Sequence, residues 1–213
     1  MSDVPAAVPA VPAAPGVRSR AKADRRDALL TAAARLFATR GFNGVAVEDL
    51  GAAVGISGPA VYRHFASKQQ VLAALLIGVS EDLLAGGRAV LDEAQDARGA
   101  LTGLVRFHVD FALDDADVIR VQDRDLDSLD DADRREVRAL QRRYVELWVG
   151  VLARLHPGAD PAALRIRAQA TFGLINSTPH SARLGRGSRG VLPRAEVRAL
   201  LEEMALATLA PAG

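Results

Sequence analysis

The segment VEDLGAAVGISGPAVYRHFASK, Val47 to Lys68, combines two short helical patterns with a tight turn between them. Apolar residues around Leu50 recur at helical spacing, and Gly55 offers the left-handed backbone that ends a helix. Ser57 is placed as the N-cap of a second helix, and Pro59 falls in its first turn, where a missing backbone N–H costs little. The pattern predicts a helix-turn-helix, a shape that fits the groove of a nucleic-acid duplex.

The second helix of this unit has an apolar side and a side of small or polar residues. Val61 and Phe65 are four residues apart and are predicted to face the core. Short side chains on the other side allow close approach to base edges, and longer ones reach phosphate oxygens. We therefore predict contacts to double-stranded DNA from Ser57, Gly58, Pro59, Ala60, Tyr62, Arg63, His64 and Lys68. The alternative is a helical hairpin whose polar side chains are only solvated.

A longer helical pattern precedes this unit. Residues 25–40 place Leu29, Ala33 and Phe37 at helical spacing, and Gly41 closes the pattern as a C-terminal stop. This helix and the two of the helix-turn-helix would form one compact head.

Three stretches of this head, RRDALLTAAARLFATRGF, VEDLGAAVGIS and GPAVYRHFASKQQVL, together resemble the N-terminal DNA-binding domain of the TetR family of bacterial regulators. The resemblance implies recognition-helix positions at Pro59, Ala60, Tyr62 and Arg63, and DNA-backbone positions at Tyr62, His64 and Lys68. Two residues depart from the family pattern. Ala46 replaces the usual Ser or Thr cap, and Glu48 replaces a basic or polar residue near the DNA, where its carboxylate would repel phosphate.

Composition and charge agree with a DNA-binding head. The chain of 213 residues has room for a small head and a larger helical body, each able to bury apolar surface. The net charge is only +1, but residues 16–70 carry nine Lys or Arg against four Asp or Glu. Positive charge therefore lies where DNA is predicted to bind, so that binding should weaken as the salt concentration rises.

Several classes of site are excluded by residue type. The absence of cysteine rules out a disulfide framework, a thiolate nucleophile and a Cys-ligated zinc site, and it fits a reducing cytoplasm. The four histidines show no metal-ligand spacing, and no glycine-rich phosphate loop follows a strand pattern. We therefore predict a protein that is not an enzyme, with no metal and no cofactor. No window is apolar for the length of a membrane span, which predicts a cytoplasmic protein without membrane contact.

The chain divides into three predicted regions. Residues 1–17 are rich in Ala and Pro, lack the features of a secretory signal, and are predicted to be a disordered tail. Residues 18–67 form the helix-turn-helix domain, and residues 68–213 form a helical ligand-binding and dimerisation domain. A basic cluster at the start of the head could be an arm that enters the minor groove or follows phosphates, or only a solvated linker. It comprises Arg18, Arg20, Lys22, Arg25 and Arg26.

Helical patterns continue through the body, so the predicted fold class is all-α. We expect helices over residues 68–94, 98–113, 118–127 and 130–155, one capped by Asp160 with Pro161 at its first position, and a final one opened by Pro193. Pro179 should kink or end the penultimate helix, and residues 185–190 should form a mobile loop. The resemblance implies that the last two helices pair with their twins in a four-helix bundle, giving a homodimer that reads a palindromic operator.

A ligand pocket is predicted in the body. Aromatic side chains with a few polar groups lie on the apolar faces of its middle helices, and arginines nearby could hold phosphates. The predicted ligand-binding residues are Phe107, His108, Phe111, Arg120, Arg124, Tyr144, Trp148, Phe172 and Asn176. The alternatives are that the aromatic residues are ordinary core and that the arginines form a solvated face paired with aspartates. The stretch from Val118 to Leu152 is similar to TetR-like repressors that sense acyl-CoA thioesters, which implies an acyl-CoA as a small-molecule effector.

These observations lead to one main interpretation and two alternatives. The main one is a transcriptional repressor that a small molecule releases from its DNA operator. A ligand-independent architectural DNA-binding protein would need no cavity, and its body would be packed solid. An enzyme with an accessory DNA-binding domain would need a catalytic constellation, which the sequence does not show.

Overall fold

The structure, a computed structural model, describes residues 17–177 and 192–209. All regular secondary structure in these residues is helical, which confirms the predicted fold class. Nine α-helices are described: α1 (Val17–Arg40), α2 (Val47–Ala53), α3 (Gly58–Val61), α4 (Lys68–Glu93), α5 (Ala97–Asp114), α6 (Ala116–Asp125), α7 (Asp131–Leu155), α8 (Pro161–Asn176) and α9 (Arg194–Leu209). A single 3₁₀ turn, Leu126–Ser128, joins α6 to α7.

Local stop and start signals set the helix ends. Gly41 and Gly55 have positive φ angles, +79° and +72°, which confirms both as left-handed helix stops. The backbone N–H of Gly41 bonds the carbonyl oxygen of Phe37 at 2.8 Å. Asp160 caps α8 as predicted, because its carboxylate accepts a bond from the Ala162 N–H at 3.0 Å.

The first helix begins earlier than the apolar pattern indicated. It starts at Val17 and not near Arg25, so the basic cluster belongs to a helix and does not form an extended arm. Val17, the last residue of the predicted tail, is helical as well. Residues 1–16, the predicted kink at Pro179 and the predicted loop at 185–190 lie outside the described residues.

The buried apolar residues form two clusters that share helices. The first joins α1 to α3 with the start of α4, and it also takes in Val118 and Val121 of α6 and Val137 of α7. The second fills the body around Leu104, Trp148 and other residues of α4 to α9. Because α4 and α6 contribute to the head cluster, the apolar core continues across the predicted boundary between residues 67 and 68.

One helix, α4, has the length and the mean hydropathy, 1.4, that a membrane span requires. The prediction that no window meets this requirement is therefore wrong. Its buried residues run from Val71 to Gly87, and α4 packs against α1 in the head and against α5 and α7 in the body. The apolar composition of α4 is accounted for by this packing.

Candidate nucleic-acid interface and ligand cavity

The helix-turn-helix is held by a close approach of α2 to the turn. A β-carbon added at Gly51 would lie 2.7 Å from the carbonyl oxygen of Ile56, closer than real contacts allow. The Ile56 N–H in turn donates to the Gly51 carbonyl oxygen at 2.9 Å. Only glycine fits this position without moving backbone. The role of Gly51 was not predicted, because a glycine inside a helical pattern does not show which other part of the backbone lies against it.

The surface around α3 exposes four of the eight predicted DNA-contact residues. The side chain of Tyr62 is 53% exposed, and Ser57, Pro59 and Arg63 are also exposed. Ala60 and His64 are half-buried. These side chains lie on one continuous stretch of the head, which is the arrangement that groove recognition requires.

Two of the predicted DNA-contact residues are placed differently. Gly58 is buried, and a β-carbon there would lie 3.2 Å from the side chain of Glu48 on α2. This glycine therefore faces α2 rather than outward. Ser57 occupies the N-cap position of α3, as predicted, but its side chain makes no capping bond, so the predicted side-chain contact to a backbone N–H is wrong. Its hydroxyl stays exposed on the outer surface.

Two arginines of α1 form hydrogen bonds to the backbone of the helix-turn-helix. Arg25 donates to the carbonyl oxygen of Val54 at 3.1 Å, and Arg26 donates to that of His64 at 3.3 Å. The Arg26 guanidinium also lies over the Phe65 ring, 4.3 Å from its centre. These two members of the predicted basic arm thus tie together the parts of the head.

Lys68 has partners inside the head. Its ammonium donates to the carbonyl oxygens of Phe42 and Val45, both at 2.8 Å, and lies 4.4 Å from the centre of the Phe42 ring. An ammonium has three N–H donors, so these bonds leave one for a phosphate. Contact between Lys68 and the DNA backbone remains a prediction.

Burial and the cations of the head together lower the pKa of His64. Partial burial is the main cause that lowers the pKa of His64, and the nearby cations Lys22, Arg25 and Arg26 lower it further. The surface beside the recognition turn therefore has a positive potential, which attracts phosphate. Glu48, exposed on α2, adds a carboxylate beside Gly58 of α3.

The body contains a cavity of about 480 Å³ between α4, α5, α6, α7 and α8. Five of the predicted ligand-binding residues line it: His108, Phe111, Tyr144, Phe172 and Asn176. Further residues that line it are Ser80, Leu83, Ile119, Gln122, Arg138, Gln141, Arg142, Val145, Glu146, Arg165 and Gln169. A cavity of this size is in the range that small-molecule sites occupy.

Aromatic rings surround His108 at one end of the cavity. The centre of its imidazole lies 4.7 Å from that of Phe172 and 5.7 Å from those of Phe111 and Tyr144. The Tyr144 hydroxyl is 3.3 Å from Nδ1 of His108. Complete burial lowers the pKa of His108 to about 4, and the neighbouring Asn176 amide offsets this only in part. The imidazole is therefore neutral at physiological pH.

Cations also line the cavity. Arg138 and Arg142 of α7 are exposed there, and Arg165 of α8 pairs with Glu146 at 2.7 Å. None of these three arginines is among the predicted ligand-binding residues. A signal was present, since Arg165, Gln169 and Phe172 recur on one face of α8.

Four predicted ligand-binding residues do not line the cavity. Phe107 packs against α4, where a β-carbon at Gly86 would overlap its ring. Trp148 is wholly buried behind His108 and Phe172, as part of the body core. Arg120 bonds Asp117 at 2.7 Å on its own helix. The fourth, Arg124, lies on the far side of α6. Helical periodicity alone does not distinguish a core face from a cavity wall.

Arg124 connects α6 to the head. Its guanidinium donates to the carbonyl oxygens of Phe37 and Ala38 in the last turn of α1. It also pairs with the buried carboxylate of Asp125 at 3.0 and 3.2 Å. Gln122, two residues earlier on the same helix, lines the cavity. A single short helix therefore contacts both the cavity and the end of α1.

The last two described helices expose apolar side chains. Ile166 of α8 is 66% exposed, and Leu200 and Met204 of α9 are 46% and 43% exposed. The opposite face of α9 buries Ala205 and Leu209 in the body core. An exposed apolar surface on neighbouring helices is typical of an interaction site.

Fold and surface together define a helix-turn-helix protein with a hollow helical body, and comparison with known proteins places it in a family. Residues 29–75 match the family model described as bacterial regulatory proteins, tetR family, and residues 94–180 match the tetracyclin repressor-like C-terminal domain. The chain belongs to the TetR family. This membership confirms the predicted resemblance, and a family of regulatory proteins agrees with the prediction that the chain is not an enzyme.

Individual relatives show the same similarity. The transcriptional repressor KstR2 of Rhodococcus jostii is 31% identical over 62% of this chain and 65% of its own length. KstR2 of Mycolicibacterium smegmatis is 34% identical over 61% of this chain and 64% of its own length. The solved structure of KstR2 from Mycobacterium tuberculosis shares the fold, with a TM-score of 0.69 and 23% identity over 88% of this chain and 96% of that one. The chain spans less than two thirds of the length of these two curated relatives.

Proposed function

We propose that this protein is a ligand-responsive transcriptional repressor that acts in the cytoplasm and leaves its operator when a small molecule fills the body. The observation that carries the proposal is the position of α6. Gln122 of this helix lines the cavity, while Arg124 bonds the last turn of α1 in the head. A ligand that shifts α6 therefore moves a helix that supports the helix-turn-helix.

The same geometry suggests how a ligand lowers DNA affinity. A ligand changes an equilibrium only by as much as it prefers one of the two arrangements. An effector that pushes Ile119 and Gln122 outward would favour an arrangement in which Arg124 carries α1 with it. The spread of two heads in a dimer would then no longer match the spacing of two major grooves.

Dimerisation through α8 and α9 is part of the proposal. The exposed side chains of Ile166, Leu200 and Met204 form an apolar surface that a second copy of the chain would cover. Two-fold pairing of these helices places two heads on one duplex. A palindromic operator with half-sites about 34 Å apart, or a multiple of this distance, follows from the symmetry.

An acyl-CoA thioester is the proposed effector class. The aromatic rings around His108 suit an apolar acyl group, and three cations that line the same cavity, Arg138, Arg142 and Arg165, suit phosphates. The names of two proteins with the same fold refer to ketosteroids and fatty acids. One solved relative is a ketosteroid transcriptional regulator, and another, FadR of Bacillus halodurans, is a fatty acid degradation regulator.

The test begins with selection of bound fragments from the genome that encodes the protein, and then measures fluorescence anisotropy of the selected duplex. We expect operator binding in dilute salt and its loss on addition of acyl-CoAs, but not of free CoA. Arg63→Ala serves as a DNA-binding-deficient control, and Arg143→Ala, on the exposed side of α7, serves as a matched surface control. The absence of any preferred fragment would refute the proposal. Operator binding that no acyl-CoA changes would refute the effector class and would favour a ligand-independent DNA-binding protein.

A further inference from the structure

The aromatic end of the cavity holds polar atoms that the protein leaves unpaired. His108 is 3% exposed, and its Nε2 makes no hydrogen bond within the described residues. The buried Oδ1 of Asn176 also makes no hydrogen bond of ordinary geometry among them, although the Asn176 side chain lies close enough to His108 to raise the pKa of the imidazole in part. Both side chains line the cavity, one from α5 and the other from α8. Buried polar groups in proteins are almost always paired, so two unpaired atoms in one cavity wall point to a bound polar group.

The surroundings decide which of these atoms donates. Burial raises the pKa of the Tyr144 phenol, which therefore keeps its proton and is able to donate to Nδ1 of His108, 3.3 Å away. Burial lowers the pKa of His108 to about 4, so the neutral ring has a single N–H. With Nδ1 acting as acceptor, this proton is on Nε2. The cavity thus offers a donor at His108 and an acceptor at Asn176.

We infer that this end of the cavity selects a ring that carries a hydroxyl group, which accepts a hydrogen bond from His108 Nε2 and donates one to Asn176 Oδ1. A hydroxyl oxygen is the simplest neutral group that does both. The ring itself fits among aromatic side chains, since Phe172 stacks with Tyr144 at 5.6 Å and lies 4.7 Å from His108. The inference rests on the proposed function, in that it assumes the body binds a small effector.

Charge sets the direction of such a ligand. The cations that line the cavity, Arg138, Arg142 and Arg165, are exposed or half-buried, whereas the imidazole of His108 is buried and neutral and offers no charge to an anion. An anionic group of the ligand therefore faces the arginines, and its hydroxyl group faces His108. Burial of an unpaired carboxylate among the aromatic rings would be strongly unfavourable.

The test compares two rigid acids that differ only in the hydroxyl, 6-hydroxy-2-naphthoate and 2-naphthoate, by isothermal titration calorimetry on the full chain. We expect the hydroxylated acid to bind about tenfold more tightly, the effect of two net hydrogen bonds of ordinary strength. His108→Phe and Asn176→Leu should each reduce this ratio toward one, and Arg143→Ala should leave it unchanged. Circular dichroism checks that each variant is folded. If His108→Phe does not fold, Asn176→Leu alone provides the test.

Each outcome bears on the inference. A ratio near one in the parent protein, or a ratio unchanged by both cavity substitutions, would overturn it. Failure of both acids to bind at millimolar concentration would also overturn it, because the cavity has room for a two-ring acid. The readout involves no DNA. If the protein prefers the hydroxylated acid but binds no operator, the inferred site is supported and the proposed repressor function is refuted. If it binds an operator but does not prefer the hydroxylated acid, the repressor function is supported and the inferred site is refuted.

Discussion

Replacement of Arg124 by Met is expected to destabilise the protein and to separate α6 from the head. The guanidinium bonds two carbonyl oxygens of α1 and the carboxylate of Asp125. The Arg124 side chain is 46% exposed, so its own bonds are screened by water and contribute about 1 kcal/mol. The Asp125 side chain is only 8% exposed, and leaving a buried carboxylate unpaired costs more. Together these terms predict a loss of about 2 to 4 kcal/mol.

A double-mutant cycle separates the two contributions. Urea unfolding, followed by the fluorescence of the single tryptophan, Trp148, gives the free energy of unfolding of each variant. If the unpaired carboxylate dominates, Arg124→Met combined with Asp125→Asn should be clearly more stable than Arg124→Met alone. Equal stabilities of the single and double variants would refute this reasoning. A loss below about 0.5 kcal/mol for Arg124→Met would show that the contacts to α1 contribute little.

The same variant tests the proposed coupling. With Arg124→Met, an effector that fills the cavity still meets Gln122, but α6 no longer bonds the last turn of α1. We expect effector affinity to stay near that of the parent while the effector-induced loss of operator affinity shrinks. Anisotropy titrations with and without effector measure that change.

Three further predictions concern the turn, the recognition surface and pH. Gly51→Ala should lower the free energy of unfolding by about 1 to 3 kcal/mol, because its β-carbon would lie 2.7 Å from the Ile56 carbonyl oxygen. The control is Gly150→Ala, which has open space around it and should stabilise α7 by about 0.5 to 1 kcal/mol. Thermal unfolding compares the two variants. Arg63→Ala should reduce discrimination between operator and random duplex, and equal losses on both in binding titrations would make Arg63 a phosphate contact. Because burial lowers the pKa of His108 from 6.5 to about 4, the unfolded chain takes up its proton first, and stability is lost as the pH falls through this window. Relative to His108→Phe, the parent should lose up to about 3 kcal/mol there, and identical pH profiles in urea unfolding would contradict this.

The helical framework could be predicted because its signals are local. The positive φ angles of Gly41 and Gly55, and the capping bond of Asp160, depend on residues within one helical turn. The start of α1 was placed too late, since residues 17–24 have few apolar side chains and periodicity gives no signal there. The prediction that no segment resembles a membrane span failed for α4, whose apolar character follows from its central position.

The cavity could be predicted only in part. His108 and Tyr144 recur at helical spacing on apolar faces and do line it, but Trp148 follows the same period and is part of the solid core. A pattern identifies the face of a helix that turns inward, and it does not show whether that face meets side chains or empty space. Arg165 shares one face of α8 with Phe172, but its pairing with Glu146 depends on how α8 crosses α7, which no local pattern contains.

The order of residues alone therefore establishes the helices, the turn between α2 and α3, and the basic character of the head, because helix propensity, capping and charge act over a few residues. Only the packed chain establishes that Arg124 bonds α1, that Gly58 faces α2, and that His108 and Asn176 meet in one cavity wall. Each of these contacts joins residues that are far apart along the chain, or it depends on how deeply a side chain is buried in the bundle. Such contacts depend on how helices cross, and crossing is decided by the fit of whole surfaces.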